Sequence, residues 1–347
     1  MNIFNECWFK DCHHMALLPI VKEFLGTFDD LILNQVYFYK EKEFGDLEIK
    51  RIDFRNIYEI LEEKGIECHV FSTRDILSIL KQYLDKDSYA IIGVDNFFES
   101  IRKDYYKKKH IAHSLLIKNL EYDEKKVVVL EQPTFFSTDY QLYELTFNEL
   151  INAYLNFVDR KENSNFYVKK LPDICKFQDN IPNISIFSKK NFKKNNDDIS
   201  KDIFFKEIFL YKENIFRGIE YIEVYREKID LLVKKRIHMN ENENEIFINS
   251  MTDIILGKKE ELAAIRRILS CELEKKYIKN QNQIISNWSI IRNKFSRMIY
   301  RKQKNDQYIV DINNLLQNIY IREKDNYNII FSTGEDKLWN LNYIILA

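Results

Sequence analysis

The chain has 347 residues, of which 45% are hydrophobic and 31% are charged, and its net charge is −1. This length allows two domains or one large domain with an appendage, and the apolar content is ample for a packed core. The balanced charge gives no general attraction to nucleic acid or to anionic membranes, and the low counts of Gly (7) and Pro (4) argue against a disordered chain.

The N-terminal sequence and the cysteines predict the cellular compartment. Residues 1–12 read MNIFNECWFKDC, with no basic segment ahead of an apolar one, so no secretory signal is predicted. No stretch approaches about 18 uncharged apolar residues, so no membrane span is predicted. The five cysteines are scattered and odd in number, which favours reduced thiols in the cytoplasm over a disulfide framework.

The first 171 residues mix helical and strand patterns. Apolar residues at three- and four-residue steps follow Cys12 and predict a helix that ends at Gly26, although Pro19 lies inside it. Further strands are predicted at 31–39, 47–54, 66–71 and 88–95, and further helices at 55–65 and 72–85, the latter with Ser72 or Thr73 as the candidate N-cap.

The clearest signal in this half is a β-hairpin. Two β-rich runs flank YDEKK and predict antiparallel strands over 112–133, where Pro133 ends the second strand. A helix is predicted at 146–157, because Thr146 and Glu149 form a capping-box pattern at its start. A last strand is predicted at 165–171.

The composition changes after residue 171. Residues 172–200 contain two Pro and many Asn, Lys and Asp, which predicts a linker. Beyond it, apolar residues at helical spacing predict an all-α domain over 201–347. Its helices are predicted at 204–236, 244–278, 281–304 and 311–325, with breaks at Gly218 and Gly257. The predicted fold is therefore α+β over 1–171, with an N-terminal helix packed on an antiparallel sheet, followed by the linker and the helical domain.

Three residues have the chemistry of a catalytic site. Cys12 lies in the first turn of its predicted helix, where the positive end of the helix dipole favours a thiolate. His113 begins the first strand of the hairpin and Glu131 ends the second, so the two side chains are expected to be close across the ladder. Such a carboxylate would hold the imidazole in one tautomer and stabilise its charged form. The order cysteine, histidine, carboxylate is that of papain-like enzymes.

Other interpretations of these residues remain open. Taken alone, Cys12 is more often a buried structural thiol, and His113 a core or surface histidine. His110 is an alternative base, but the basic run at 105–110 predicts solvated surface. A zinc site is a further alternative, with the ligands Cys7, Cys12, His13 and His14. Because neither a C-x-x-C pair nor an H-x₃-H partner accompanies these residues, we expect no metal and no cofactor.

Two segments carry a resemblance to known enzymes. DCHHMALLPIVKEFLG (11–26) resembles the Asp-Cys-x-x-x-Ala-Leu segment of the bacteriocin-processing (double-glycine) cysteine peptidases. Residues 94–155 are similar to the histidine strand, Tyr-Asp turn, carboxylate-Pro pair and following helix of those enzymes. The arrangement also resembles the family of the N-terminal domain of butirosin biosynthesis protein H. The resemblance covers roughly residues 1–170.

The resemblance implies a papain-like fold and a set of catalytic roles. It places Cys12 as the nucleophile, His113 as the general base and Glu131 as the orienting carboxylate. Asn5 or Glu6 lies about where these enzymes have an upstream amide that binds the oxyanion, together with the backbone N–H of Cys12. Asn5 is the candidate, because its NH₂ can donate, whereas an ionised Glu6 would repel the developing charge. His13 stands where the peptidases have Gly, and the third residue is Glu rather than Asp.

These features together predict a cysteine-dependent acyltransferase. It would form an amide from a small amine and an acyl group on the phosphopantetheine thioester of a carrier protein, in the biosynthesis of a specialised metabolite such as an antibiotic. The helical domain is expected to supply the acceptor pocket or to dock the carrier. The alternatives are a cysteine peptidase or amidase with the same residues, and an inactive papain-like binding module. Neither a nucleic acid nor a membrane is expected as a partner.

Overall fold

The computed structural model describes residues 11–42, 45–84, 87–134, 140–162, 183–190 and 199–346. The chain divides into two compact units. The α+β unit comprises Met1–Phe28 and Asn56–Asn195, and the helical unit comprises Asp29–Arg55 and Asn196–Ala347. This division differs from the predicted one because residues 29–55 belong with the C-terminal helices.

The α+β unit is built on an antiparallel sheet. Its helices, numbered along the whole chain, are α1 (Cys12–Leu25), α3 (Ile57–Glu63), α4 (Ile76–Tyr83) and α5 (Phe147–Glu162). Its strands are β3 (Ile66–Phe71), β4 (Ser88–Asp95), β5 (Ala112–Glu121), β6 (Lys126–Glu131), β7 (Gln141–Thr146) and β8 (Ile184–Lys189). Within the described residues they form one six-stranded sheet in the order β3-β8-β4-β5-β6-β7.

Two strands of this sheet were not predicted. β8 lies in the segment interpreted as a linker, and it pairs with both β3 and β4. β7 pairs with β6 at the other side of the sheet. The strand predicted at 165–171 lies outside the described residues. The strands predicted at 66–71 and 88–95 are confirmed as β3 and β4.

Helix α1 begins and ends where its sequence indicates. The carboxylate of Asp11 caps the helix by accepting a hydrogen bond from the N–H of His14 at 2.8 Å. Gly26 ends it in the left-handed region, with φ of 79°, and Pro19 is accommodated inside it. The helix packs against β4 and β5, so its first residue is carried to the sheet.

The predicted hairpin is confirmed as β5 and β6. The strands pair antiparallel on either side of a turn at 122–125, with a register shift between Ile117 and Asn119. The predicted capping box at α5 is also present, since Thr146 and Glu149 exchange hydrogen bonds of 3.0 and 3.2 Å. At α4 the prediction is wrong: Asp75 is the N-cap, because its carboxylate accepts from the next turn's backbone.

The helical unit combines helices with a β-hairpin. Its helices are α2 (Asp29–Ile32), α6 (Ile199–Leu210), α7 (Lys212–Glu227), α8 (Ile229–Ile237), α9 (Glu241–Ile265), α10 (Cys271–Tyr300) and α11 (Asp306–Leu346). The hairpin consists of β1 (Gln35–Glu41) and β2 (Leu47–Asp53). The strand predicted at 31–39 thus begins later, after α2. No helix among the described residues is both long and apolar enough to cross a membrane.

The predicted helix breaks at Gly218 and Gly257 are wrong. Gly218 lies inside α7 and Gly257 inside α9, while the chain breaks at 211, 228 and 266–270 instead. A Cβ at Gly218 would lie 2.4 Å from the carbonyl oxygen of Tyr39, and a Cβ at Gly257 would lie 2.9 Å from Ile49. Both glycines therefore allow the β1–β2 hairpin to approach the helices, a tertiary role that helical periodicity does not reveal.

A buried polar network holds this hairpin in the helical unit. The Lys258 ammonium is fully buried and donates to Glu261 and Glu323 at 2.8 and 2.9 Å. The Tyr39 hydroxyl donates to Glu323 at 2.5 Å and accepts from the indole N–H of Trp288 at 3.0 Å. Because a buried charge is tolerated only when it is paired, this network ties β1 to α9, α10 and α11.

Candidate active site

The start of α1 and the start of β5 bring a thiol to an imidazole. Cys12 is the first residue of α1 and is partly buried. Its thiol interacts with the imidazole of His113 and raises the pKa of that ring, and His113 lies opposite Val94 in the β4–β5 ladder. The alternative interpretation of Cys12, a buried structural thiol, does not account for this interaction with an imidazole.

The imidazole of His113 also contacts a carboxylate. Its Nε2 lies 2.7 Å from Oε2 of Glu131, and both residues are buried, with 5% and 1% of their surface exposed. The other oxygen, Oε1, accepts a hydrogen bond from the backbone N–H of Gln132 at 2.7 Å, which fixes the carboxylate. With Nε2 occupied by Glu131, Nδ1 is the ring nitrogen left for Cys12. The structure thus brings together the three residues that the sequence singles out.

The surroundings favour a charged imidazole. Burial alone would lower the pKa of His113, but the Glu131 carboxylate and the hydrogen bonds to Cys12 and Glu131 raise that pKa to about 10. His113 is therefore an imidazolium at neutral pH in this arrangement. An adjacent imidazolium stabilises a thiolate, which is the nucleophilic form of cysteine.

A buried arginine, which the sequence analysis missed, completes the charge balance. The guanidinium of Arg102 lies 3.7 Å from Oε1 of Glu131 and 3.4 Å from Nε2 of His113. It also donates to Asp104 at 3.2 Å. Burial would lower the pKa of Arg102, but Glu131 and Asp104 raise it, so its charge is permanent. The cations His113 and Arg102 therefore alternate with the anions Glu131 and Asp104.

A second missed residue, Glu99, lies beside this cluster. Glu99 is completely buried, and neither of its carboxyl oxygens has a hydrogen-bond partner among the described residues. The sequence signal for both missed residues is in VDNFFESIRKD (94–104), where acidic and basic residues alternate with large apolar ones directly after a buried strand. Charged residues in such an apolar context are candidates for a buried ionic cluster.

The oxygens of Glu99 and Glu131 and a nitrogen of His113 are close enough for one cation. These ligand atoms all lie within 4.8 Å of one another. The guanidinium of Arg102 already lies against two of the three groups, however, so the position beside them holds a fixed positive charge. The arrangement therefore fits a charge-balanced hydrogen-bonded cluster better than a metal centre.

The histidines of the alternative zinc site point to separate partners. His13 lies 2.9 Å from the Tyr58 hydroxyl, whereas Nδ1 of His14 lies 2.7 Å from Asp11. Their ring centroids are 6.5 Å apart, and each ring has a nitrogen engaged by its own partner. Burial and then His14 lower the pKa of His13 to about 4, so its ring is neutral at pH 7. Cys7 lies outside the described residues.

His110, the alternative base, belongs to a different cluster. Its Nδ1 lies 2.8 Å from the buried carboxylate of Asp95, and its Nε2 lies 2.9 Å from the guanidinium of Arg160. Phe97 stacks on the ring at 4.1 Å. Both ring nitrogens are therefore occupied, and among the described residues it is His113 that contacts the thiol.

Only part of the predicted oxyanion site can be placed. Asn5 lies outside the described residues. The backbone N–H of Cys12 is in the first turn of α1, where the helix itself supplies no acceptor for it, as an oxyanion donor requires. Tyr140 lies nearby with a buried hydroxyl that accepts a hydrogen bond from Gln132 at 2.9 Å. Burial, followed by Glu131, raises the pKa of Tyr140, so it remains a neutral phenol.

No protein-family model matches the chain, and no curated protein sequence matches it. The functional class must come from the fold and the site themselves. A thiol at a helix start, an imidazole on an antiparallel strand and a carboxylate on the next strand define a site suited to nucleophilic catalysis by cysteine.

Proposed function

We propose that the protein is a papain-like, cysteine-dependent acyltransferase that moves an acyl group from a carrier-protein thioester to an amine. The observation that carries this proposal is the juxtaposition of three groups: the His113 imidazole interacts with the Cys12 thiol, and its Nε2 lies 2.7 Å from the Glu131 carboxylate. Its order along the chain and its placement on a helix start and two adjacent strands match the papain-like arrangement. The resemblance in residues 11–26 and 94–155 is the basis for proposing acyl transfer as the reaction.

The first half-reaction is acylation of the thiol. The Cys12 thiolate attacks the carbonyl carbon of the acyl thioester, and a tetrahedral oxyanion forms beside the backbone N–H of Cys12. Collapse of this intermediate breaks the bond to the donor sulfur. The departing pantetheine thiolate takes the proton held on His113, which leaves an acyl-Cys12 thioester and a neutral imidazole.

The second half-reaction transfers the acyl group to nitrogen. The amine attacks the acyl-Cys12 carbonyl while His113 accepts the amine proton, because Glu131 stabilises the imidazolium that forms. The bond to the Cys12 sulfur then breaks. The amide leaves, and the thiolate–imidazolium pair is restored. Water in place of the amine would give hydrolysis with the same residues.

A lysine-rich loop next to the site supports an anionic donor. Lys107 and Lys109 are exposed, as the sequence predicts, in the loop that also carries the buried Arg102. Lys109 is four residues from His113, so its Cα lies within about 14 Å of that of the imidazole residue. The phosphodiester of a phosphopantetheine arm is an anion that lysine ammonium groups bind well.

Reversing the charge of this loop is expected to weaken binding of the carrier-linked donor. In the double variant Lys107→Glu, Lys109→Glu we expect KM for the carrier-linked thioester to rise roughly 10-fold at low salt, and less at high salt. The KM for a short thioester without a phosphate should be unchanged. Lys125→Glu is the matched control, because Lys125 is also exposed and has a φ of 53° against 54° for Lys107. An equal rise in KM for both donors would show that the loop does not bind the phosphate of the carrier-linked donor.

The proposed function is tested by measuring how the acyl group divides between the amide product and the free acid. The full chain is incubated with an acyl-loaded carrier protein and a series of small primary amines, and amide and free acid are quantified. We expect amide to form in preference to acid and to saturate with amine concentration. Release of acid at a rate independent of the amine would identify a hydrolase, and the absence of both products and of acyl-Cys12 would identify a binding module.

A further inference from the structure

Glu99 is an unusual group to find next to a catalytic base. It is 0% exposed, and both of its carboxyl oxygens lack a partner among the described residues. An ionised carboxylate in that position would lose its hydration without a compensating hydrogen bond from the part of the chain that the structure describes, which is costly. A protonated carboxyl in the same position loses much less hydration free energy. The burial of Glu99 therefore favours the neutral acid.

The charged groups that face Glu99 come from three elements. Glu131 faces it from β6 and His113 from β5, and Arg102 and Asp104 face it from the loop between β4 and β5. Burial and then the Glu131 carboxylate raise the pKa of Glu99 to about 8, against the opposite effect of His113 and Arg102. Glu99 is thus a neutral acid at pH 7 and a carboxylate above about pH 8.

We propose that Glu99 is a positioning residue whose protonated carboxyl limits the negative charge beside the His113 imidazole to that of Glu131 alone. Its effect on catalysis rests on the proposed acyl transfer, but its coupling to His113 does not. In the acyl-enzyme, His113 must be neutral to accept the amine proton. Each ionised carboxylate beside the ring raises the pKa of the imidazole, so a second one would leave a smaller fraction of the ring neutral at a given pH.

Ionisation of Glu99 therefore makes the neutral fraction of His113 rise less steeply with pH in the second half-reaction. The coupling is reciprocal: if the imidazolium favours the charged form of Glu99, then charged Glu99 favours the imidazolium by the same free energy. Since Glu99 ionises at a lower pH than His113, the wild-type imidazole loses its proton in the presence of two carboxylates. In Glu99→Gln it would do so in the presence of one.

The decisive experiment is NMR titration of His113 in the full chain, with ring ¹⁵N shifts followed from pH 6 to 11. We expect the midpoint of His113 to be lower in Glu99→Gln than in the wild type by about one pH unit. Glu62→Gln is the matched control, because Glu62 is an exposed glutamate of the same unit, and its midpoint should equal that of the wild type. An unchanged midpoint in Glu99→Gln would overturn the proposal.

Two further measurements test the proposal if the Glu99→Gln variant does not fold or if the wild type transfers no acyl group. In wild-type protein, a side-chain carboxyl ¹³C resonance should titrate near pH 8, and titration of Glu99 near pH 4 would overturn the proposal even if the variant does not fold. With acyl transfer as the readout, the wild-type rate should rise less steeply with pH above about pH 8 than the Glu99→Gln rate does. If the wild type transfers no acyl group, the proposed function fails while the NMR result still decides the role of Glu99.

Discussion

Replacing Cys12 with alanine is expected to abolish formation of an acyl-enzyme and to lower the rate of acyl transfer roughly 10⁴- to 10⁶-fold. The physical reason is that Cys12 is the cysteine among the described residues that interacts with the His113 imidazolium. The remaining groups of the site can bind the thioester but not attack it. The measurement is intact-protein mass spectrometry after incubation with the acyl-loaded carrier, which should show one acyl adduct on the wild type and none on Cys12→Ala.

Two other cysteines of the described residues supply the controls. Cys271 is exposed, so Cys271→Ala tests for nonspecific acylation of a surface thiol, and its adduct should match that of the wild type. Burial raises the pKa of Cys68 to about 11, so this thiol should be inert near neutral pH. Iodoacetamide should accordingly label Cys12 first. Equal, slow labelling of all three would contradict the activated thiol and favour a binding module.

The parts of the fold that are set by neighbouring residues could be predicted. Helix α1 has its first residue and its terminating Gly26 in one short stretch, and the β5–β6 hairpin is closed by a four-residue turn. The contact between His113 and Glu131 follows from that hairpin, because antiparallel pairing carries both side chains to one end of the ladder. Local turns and caps were therefore sufficient to predict that two of the three candidate residues, His113 and Glu131, lie close together.

The parts that depend on distant pairing could not be predicted. β8 enters the sheet between β3 and β4, although more than 80 residues separate it from β4, and a six-residue strand in a polar segment carries little signal of its own. The β1–β2 hairpin joins the helical unit through Gly218 and Tyr39, a contact between positions that share no periodic pattern. Arg102 and Glu99 were missed for a related reason, since single charged residues become recognisable only once their burial is known.

Glu131→Gln is expected to cost both activity and stability. The amide keeps the size of the side chain but removes the charge that the buried His113 imidazolium and Arg102 guanidinium face. Breaking one side of a buried ion pair costs roughly 3–5 kcal/mol of unfolding free energy. Without the carboxylate the pKa of His113 falls, so the base is weaker and its ring is less well oriented. The acyl-transfer rate should drop by about 10²- to 10⁴-fold. Steady-state kinetics and urea unfolding at pH 7 measure the two effects.

The pH dependence of the unfolding free energy distinguishes the electrostatic role of Glu131 from simple packing. Because the pKa of His113 rises from 6.5 to about 10 on folding, the stability from its pairing with Glu131 is fully present below about pH 6.5 and is lost as the pH rises through 10. The difference in unfolding free energy between wild type and Glu131→Gln should therefore be largest near pH 6 and should shrink toward pH 10, leaving the share that belongs to Arg102. Glu124→Gln, at an exposed ion pair with Lys126 in the hairpin turn, should show a small difference at both pH values. A difference for Glu131→Gln that does not change with pH would mean that the carboxylate fills space without holding the charge of the base.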